Sequence, residues 1–154
     1  MEFTKKGEET SLYRKQRLIP FGEYIPGDRF FPFLRKIFPS LPAYSSGKKT
    51  VLSDLDSNTR IIPLLCYEAI FPDLVAAGVS QGGNIIINPV NDAWFGDSPG
   101  PEIHFAVAMF RSVEFRIPLI RVTNSGISAV VEASGEIGNP LSVGLFKRNS
   151  AVRV

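Results

Sequence analysis

Arg60-Ile61-Ile62-Pro63-Leu64-Leu65-Cys66-Tyr67-Glu68 is an apolar run that ends on the chain's one cysteine and a carboxylate. Seven residues of this kind, Arg60–Cys66, read as a buried strand. The stretch that follows, Phe71–Gln81, reads as a helix, with Pro72 in its first turn and Gly82-Gly83 past its end. The cysteine therefore falls between a strand and a helix. That junction is where open α/β sheets present reactive groups, at the carboxyl ends of their strands.

Working outward, the same alternation continues. Thr50–Leu55 reads as a strand joined to Arg60–Cys66 through the turn-like Asp56–Asn58, and Asn84–Asn88 reads as a short buried strand. Glu102–Phe115 carries Ile103, Ala106, Val107, Phe110 and Val113 at helical spacing. Leu119–Thr123 and Ser128–Glu132 read as strands, with Ser134-Gly135 as a turn. Strands alternating with helices define an α/β layered class. Upstream, residues 26–47 hold Pro26, Pro32, Pro39 and Pro42 among Phe30, Phe31, Phe33, Phe38 and Tyr44. The prolines exclude a long helix or a central strand there. Two readings of the aromatic rings stay open: packing onto a core, or an apolar lid or patch for a partner or membrane. Residues 1–10 are polar and are expected to be a flexible, frayed N-terminus.

Composition narrows the function classes. The 154 residues suit one domain, 44% apolar and 21% charged, with mean hydropathy +0.08. A net charge of +2 is too small a surplus for a general nucleic-acid binder. The charge is unevenly spread, net +5 over residues 1–50, −6 over 51–110 and +3 over 111–154, a pattern open to an anionic partner or to chance clustering. One cysteine excludes an internal disulfide, and one cysteine with one histidine leaves no zinc cage. The longest apolar run, Phe105–Phe110, is far short of a membrane span. Lys5 and Lys6 lead into polar Glu8, Glu9 and Thr10 rather than a signal-peptide core.

Five sets of residues could carry chemistry. Cys66 is a nucleophile if a base or positive charge favours its thiolate, and an inert buried hydrophobe otherwise. Lys15, in Tyr13-Arg14-Lys15-Gln16-Arg17-Leu18, could stabilise an oxyanion if buried and held by a carboxylate such as Glu23; an exposed basic turn is the plainer reading. Glu68 shares a face with Cys66 if the strand alternation persists, or is a surface carboxylate. Asn88-Pro89-Val90-Asn91-Asp92-Ala93-Trp94-Phe95-Gly96 suits a pocket rim with Trp94 as a wall, or a turn anchored in the core by that ring. His104 is either a base for Cys66 or a histidine on a helix surface.

Taken in order, several segments resemble one family. They are Tyr13–Pro26 with its Pro20-Phe21-Gly22-Glu23-Tyr24, then Cys66-Tyr67-Glu68, Asn91-Asp92-Ala93-Trp94-Phe95-Gly96-Asp97-Ser98-Pro99-Gly100-Pro101, His104, Arg111, Glu114, Arg116–Leu119 and Arg121–Val130. Together they are similar to the carbon–nitrogen hydrolase, or nitrilase, superfamily, and within it to the branch of N-acyltransferases that act on lipoproteins. The resemblance runs from about residue 11 to the end. It implies an α/β fold of the nitrilase-like α-β-β-α sandwich type and a Glu-Lys-Cys triad. Cys66 would be the nucleophile and Lys15 the triad lysine. Glu23 would be the additional glutamate beside that lysine, and Glu68 the carboxylate that supports the site. Trp94 and Tyr67 would lie near the acyl-binding pocket.

The implied partners are a phospholipid acyl donor, the N-terminal amine of a diacylglyceryl-cysteine lipoprotein and a membrane surface, with no cofactor, no metal and no nucleic acid. The implied location is the bacterial inner membrane, on its periplasmic side. The family's triad glutamate precedes the lysine by more than the fourteen residues found here, and Glu2, Glu8 and Glu9 stand in no matching motif. The expectation is therefore the C-terminal part of the catalytic domain. The first part of the sandwich and the membrane helices would lie outside it, and the chain alone would transfer little or no acyl group. A soluble amidase, or a binding module that keeps the fold without the base, are the alternatives.

Overall fold

Proline, glycine and strand periodicity place the elements where a parallel sheet needs them. The computed structural model describes residues 13–138 together with the backbone of Glu2–Phe3 and Glu9–Ser11. Those two short strands, β1 (Glu2–Phe3) and β2 (Glu9–Ser11), pair antiparallel. The rest of the N-terminus expected to be flexible, and residues 139–154, lie outside the described residues. The chain divides into two compact units, residues 14–49 and the remainder.

In the smaller unit, Ile19–Tyr24 forms a tight turn: the Glu23 N–H donates to the Ile19 carbonyl (2.8 Å) and the Phe21 N–H to the Tyr24 carbonyl (2.8 Å). One helical turn, α1 (Leu34–Ile37), follows, and the prolines around it leave no room for more. Arg35 pairs with Asp28. Ile25 is buried, but the aromatic residues of the segment are not packed away. Phe30 is 82% exposed, and Phe21, Phe31, Phe33, Phe38 and Tyr44 are also exposed. Of the two readings of this segment, packing onto a core is the one the structure overturns.

The larger unit is a five-stranded sheet in the order β3 (Ser53–Asp54), β4 (Arg60–Pro63), β5 (Ile85–Val90), β6 (Leu119–Thr123), β7 (Ala129–Val131). The central three are parallel and the outer pairs antiparallel. The β3–β4 turn is closed by the Asp56 carboxylate, which accepts the N–H groups of Asn58 and Thr59. These bonds hold its pKa below the usual 3.8. Two helices make the parallel crossovers, α2 (Pro72–Ser80) and α3 (Gly100–Phe115). Their inward residues Leu74, Val75, Phe105 and Ala108 pack with Ile62, Ile86, Leu119 and Val131. Each large apolar side chain so buried contributes roughly 1.5–3 kcal/mol. Gly78 permits close approach of α2, since a Cβ there would lie 2.7 Å from Cγ2 of Ile62.

This is one helical layer on one sheet, the arrangement of half an α-β-β-α sandwich. The opposite sheet face carries the half-buried Ile61, Ile85, Ile87, Ile120 and Val130. No helix among the described residues is long and apolar enough to cross a membrane. The carboxyl ends of β4, β5 and β6 share one edge of the sheet, and the loops leaving that edge carry the site.

Candidate active site

The strand expected to reach Cys66 stops at Pro63. Ladder pairing to β5 ends with the Leu64 N–H on the Ile87 carbonyl (3.0 Å). Cys66 opens a 3-10 helix, Cys66–Ile70, with φ +54°. A left-handed backbone at a residue other than glycine costs of order 1–3 kcal/mol and persists only where its surroundings fix it. Glu68 supplies one anchor. Its Oε2 accepts the Leu65 N–H (2.7 Å) and the Tyr13 hydroxyl (2.9 Å), the backward reach of a capping carboxylate. Glu68 is fully buried, so its reading as a surface group is corrected: the 3-10 turn, rather than strand alternation, directs it inward. Cys66 itself is half-buried, its sulfur 3.9 Å from the Asn91 carbonyl. Beside it, the Tyr67 ring packs edge-on against Phe71 at 5.0 Å.

Asn88 supplies the second anchor. Its Nδ2 donates to the carbonyls of Leu64 (2.7 Å) and Cys66 (3.0 Å).

Lys15 and Glu23 meet in the smaller unit. Nζ lies 2.7 and 2.8 Å from the two carboxylate oxygens, and the Ile19 N–H donates to Oε2 (2.9 Å). The backbone is clamped on both sides, the Lys15 carbonyl by the Gly47 N–H (2.8 Å) and the Glu23 carbonyl by the Tyr44 N–H (3.1 Å). The lysine side chain is only 11% exposed, so an exposed basic turn is excluded. Thus the Lys15–Glu23 pair and the Cys66–Glu68 elbow are each built within their own unit.

Behind the elbow lies a buried polar network that pattern reading missed. The Arg121 Nη1 donates to Asn88 Oδ1 (2.8 Å) and Nη2 to Asp92 Oδ2 (3.0 Å), while the Thr123 hydroxyl donates to Asp92 Oδ2 (3.3 Å). Arg121 is 0% exposed. The signal was available: Asn88 and Arg121 are register partners at inward positions of two apolar strands, where a charged residue is rare unless paired.

His104 is neither on the surface nor turned to the sulfur through Nδ1. It is buried, and Nδ1 lies 2.9 Å from Asp92 Oδ1. An ionised Asp92 only accepts, so Nδ1 carries the proton. Arg121 Nη2 lies 3.1 Å from Nδ1, two donors converging on one carboxylate. Burial pushes the His104 pKa below 6.5; Arg121 adds to this, and Asp92 and the Cys66 carbonyl oppose it. Nε2 is buried without a well-formed hydrogen bond among the described residues. Arg121 and Asp92 pair in charge, and burial favours the neutral imidazole beside them.

The loop after β5 is tied to the loop after β6. The Asp92 N–H donates to Asn124 Oδ1 (3.1 Å), and Asn124 Nδ2 donates to Asn91 Oδ1 (2.8 Å). Trp94 lies in the short 3-10 turn Ala93–Phe95 and is 77% exposed, so it does not anchor the turn in a core. Phe95 instead meets His104 edge-on at 5.8 Å.

The carbon–nitrogen hydrolase profile matches residues 1–142. The chain belongs to the carbon–nitrogen hydrolase family. Among curated proteins it is similar to the apolipoprotein N-acyltransferase of Allorhizobium ampelinum, at 42% identity over 134 residues, covering 86% of this chain and 25% of that one. It is likewise similar to the apolipoprotein N-acyltransferase of Rickettsia typhi, at 40% over 139 residues, covering 90% and 28%. The chain thus spans about a quarter of the length of these relatives. Among solved structures it resembles a nitrilase-superfamily amidase from Nesterenkonia AN1, with TM-score 0.60 and 21% identity over 88% of this chain and 48% of that one. A branch 10 nitrilase-superfamily member from Saccharomyces cerevisiae gives TM-score 0.51 and 21% identity over 62% and 37%. The two structures speak for the fold.

Proposed function

We propose that this chain carries the nucleophile and the lysine of a lipoprotein N-acyltransferase. In this reading Cys66 Sγ attacks the ester carbonyl carbon of a phospholipid, and the bond to the glycerol oxygen breaks. That oxygen leaves protonated as a lysophospholipid, and the acyl group stays on sulfur as a thioester. The α-amine of a diacylglyceryl-cysteine at a lipoprotein N-terminus then attacks the thioester. An amide forms, and the thiol takes back a proton.

Lys15 would face the tetrahedral oxyanion, where fixed positive charge in a dry site is worth most. Glu23 would aim it, Glu68 would hold the elbow, and Trp94 and Tyr67 would line the acyl site. The general base, a glutamate in the family, is the role these residues leave open. The thiolate is the attacking species, so the chain alone is expected to react slowly, and faster when a segment bearing that glutamate is added in trans.

The observation that carries the reading is the left-handed Cys66 clamped by Glu68 and Asn88. The exposed aromatic segment, interleaved with Arg29, Arg35 and Lys36, favours a lipid substrate over a soluble amide. It would rest on the periplasmic face of a bacterial inner membrane. The test is mass spectrometry after incubation with phospholipid vesicles, with and without a segment bearing the family's glutamate in trans. With that segment an acyl adduct on Cys66, absent from Cys66→Ala, is the expected result; without it, little or none. An adduct that survives Cys66→Ala would overturn the assignment, as would hydrolysis of small amides without lipid and with no adduct.

A further inference from the structure

We propose that Asn88, oriented by Arg121, is the positioning residue that keeps Cys66 in its left-handed conformation. β4 and β5 stop pairing at Leu64, so the carbonyls of Leu64 and Cys66 have passed the end of the ladder. The Asn88 carboxamide takes over, with both of its N–H groups spent on these two carbonyls. It thereby fixes the backbone on either side of Leu65 and at the reactive residue itself. A carboxamide could as well sit flipped, with oxygen and nitrogen exchanged. Arg121 forbids this: a guanidinium only donates, so it demands the Asn88 oxygen, and the nitrogen is left for the elbow. Arg121 is held in turn by Asp92, and Asp92 by Thr123 and His104. Asn88, Arg121, Asp92, Thr123 and His104 are all buried, where a wrongly turned amide would leave several polar groups unmet.

The inference deepens the acyl-transfer reading and rests on it for its catalytic consequence, but its geometry can be tested separately. The protein has a single cysteine, so the 154-residue chain labelled with [13C]cysteine shows one set of Cα and Cβ resonances. Their shifts report the backbone conformation at residue 66. Asn88→Asp keeps the volume and puts an acceptor where the donor was; Asn88→Ser is the milder change. In either variant that remains folded by circular dichroism, the Cys66 resonances are expected to move towards extended values or to split. Arg121→Lys, which keeps charge but loses the fork, is expected to move them less.

In acyl transfer to Cys66 the maximal rate is expected to fall by roughly tenfold to a hundredfold with unchanged affinity for vesicles. A merely structural Asn88 would lower the unfolding temperature and leave the resonances and the rate per folded molecule alone. That result overturns the proposal. So does rapid solvent exchange of the Asn88 side-chain N–H groups in the unaltered protein, which needs no variant to fold. If the unaltered chain shows the expected resonances but never forms an adduct, even with the glutamate-bearing segment in trans, the acyl-transfer reading fails and the positioning role stands.

Discussion

At Gly126 the absence of a side chain is what lets the Asp92 carboxylate enter the interior: a Cβ there would collide with Asp92 Oδ2. Gly126→Ala must therefore displace the group that pairs with both Arg121 and His104. It is expected to destabilise the protein by about 2 kcal/mol, read from denaturant unfolding. His104 gives a pH dependence of known sign. Its folded pKa lies below the ordinary 6.5 because burial disfavours the imidazolium, so the unfolded chain binds the proton first as pH falls. The contribution to stability is complete above about pH 6.5 and is lost below it, towards the folded value. Thermal unfolding measured across that range should show this slope, and His104→Gln should remove it while the carboxylate titrations remain.

At the scale of elements, periodicity gave the helices and the inner strands nearly as they stand: Phe71–Gln81 was expected and Pro72–Ser80 is found, Glu102–Phe115 was expected and Gly100–Phe115 is found, and Leu119–Thr123 coincides. It failed at sheet edges and at the elbow. Thr50–Leu55 shrinks to Ser53–Asp54, an edge strand paired on one side. Arg60–Cys66 ends at Pro63 because the chain leaves the ladder for the left-handed turn at Cys66, and no apolar pattern encodes that turn. The buried network was equally illegible, since it depends on which strands become neighbours. The candidate chemical residues were named through their motifs, not through spacing, and their roles are for the tests above to decide. The aromatic segment offers a separate check. Phe30 and Phe31 are exposed, so replacing both with Ser should leave stability within about 0.5 kcal/mol. Sedimentation with phospholipid vesicles should show binding weakened roughly tenfold or more, the transfer free energy of even one ring.

On the scale of the whole molecule, α2 and α3 both pack on the same face of the sheet. The other carries the half-buried Ile61, Ile85, Ile87 and Ile120, whose neighbours in sequence are already committed to the core. Apolar surface left partly open promotes association. Sedimentation velocity on the 154-residue chain is expected to show concentration-dependent self-association, reduced when Ile85 and Ile120 are replaced by Thr. A concentration-independent monomer would speak against that account.

The left-handed cysteine carries one more implication. The residue best suited to that dihedral angle is glycine, which has no sulfur. On the proposed reading of Cys66 as the nucleophile, reactivity and thermal robustness therefore pull in opposite directions there. A descendant freed from the need for chemistry would drift towards glycine there, and would become a sturdier, silent protein by a single replacement.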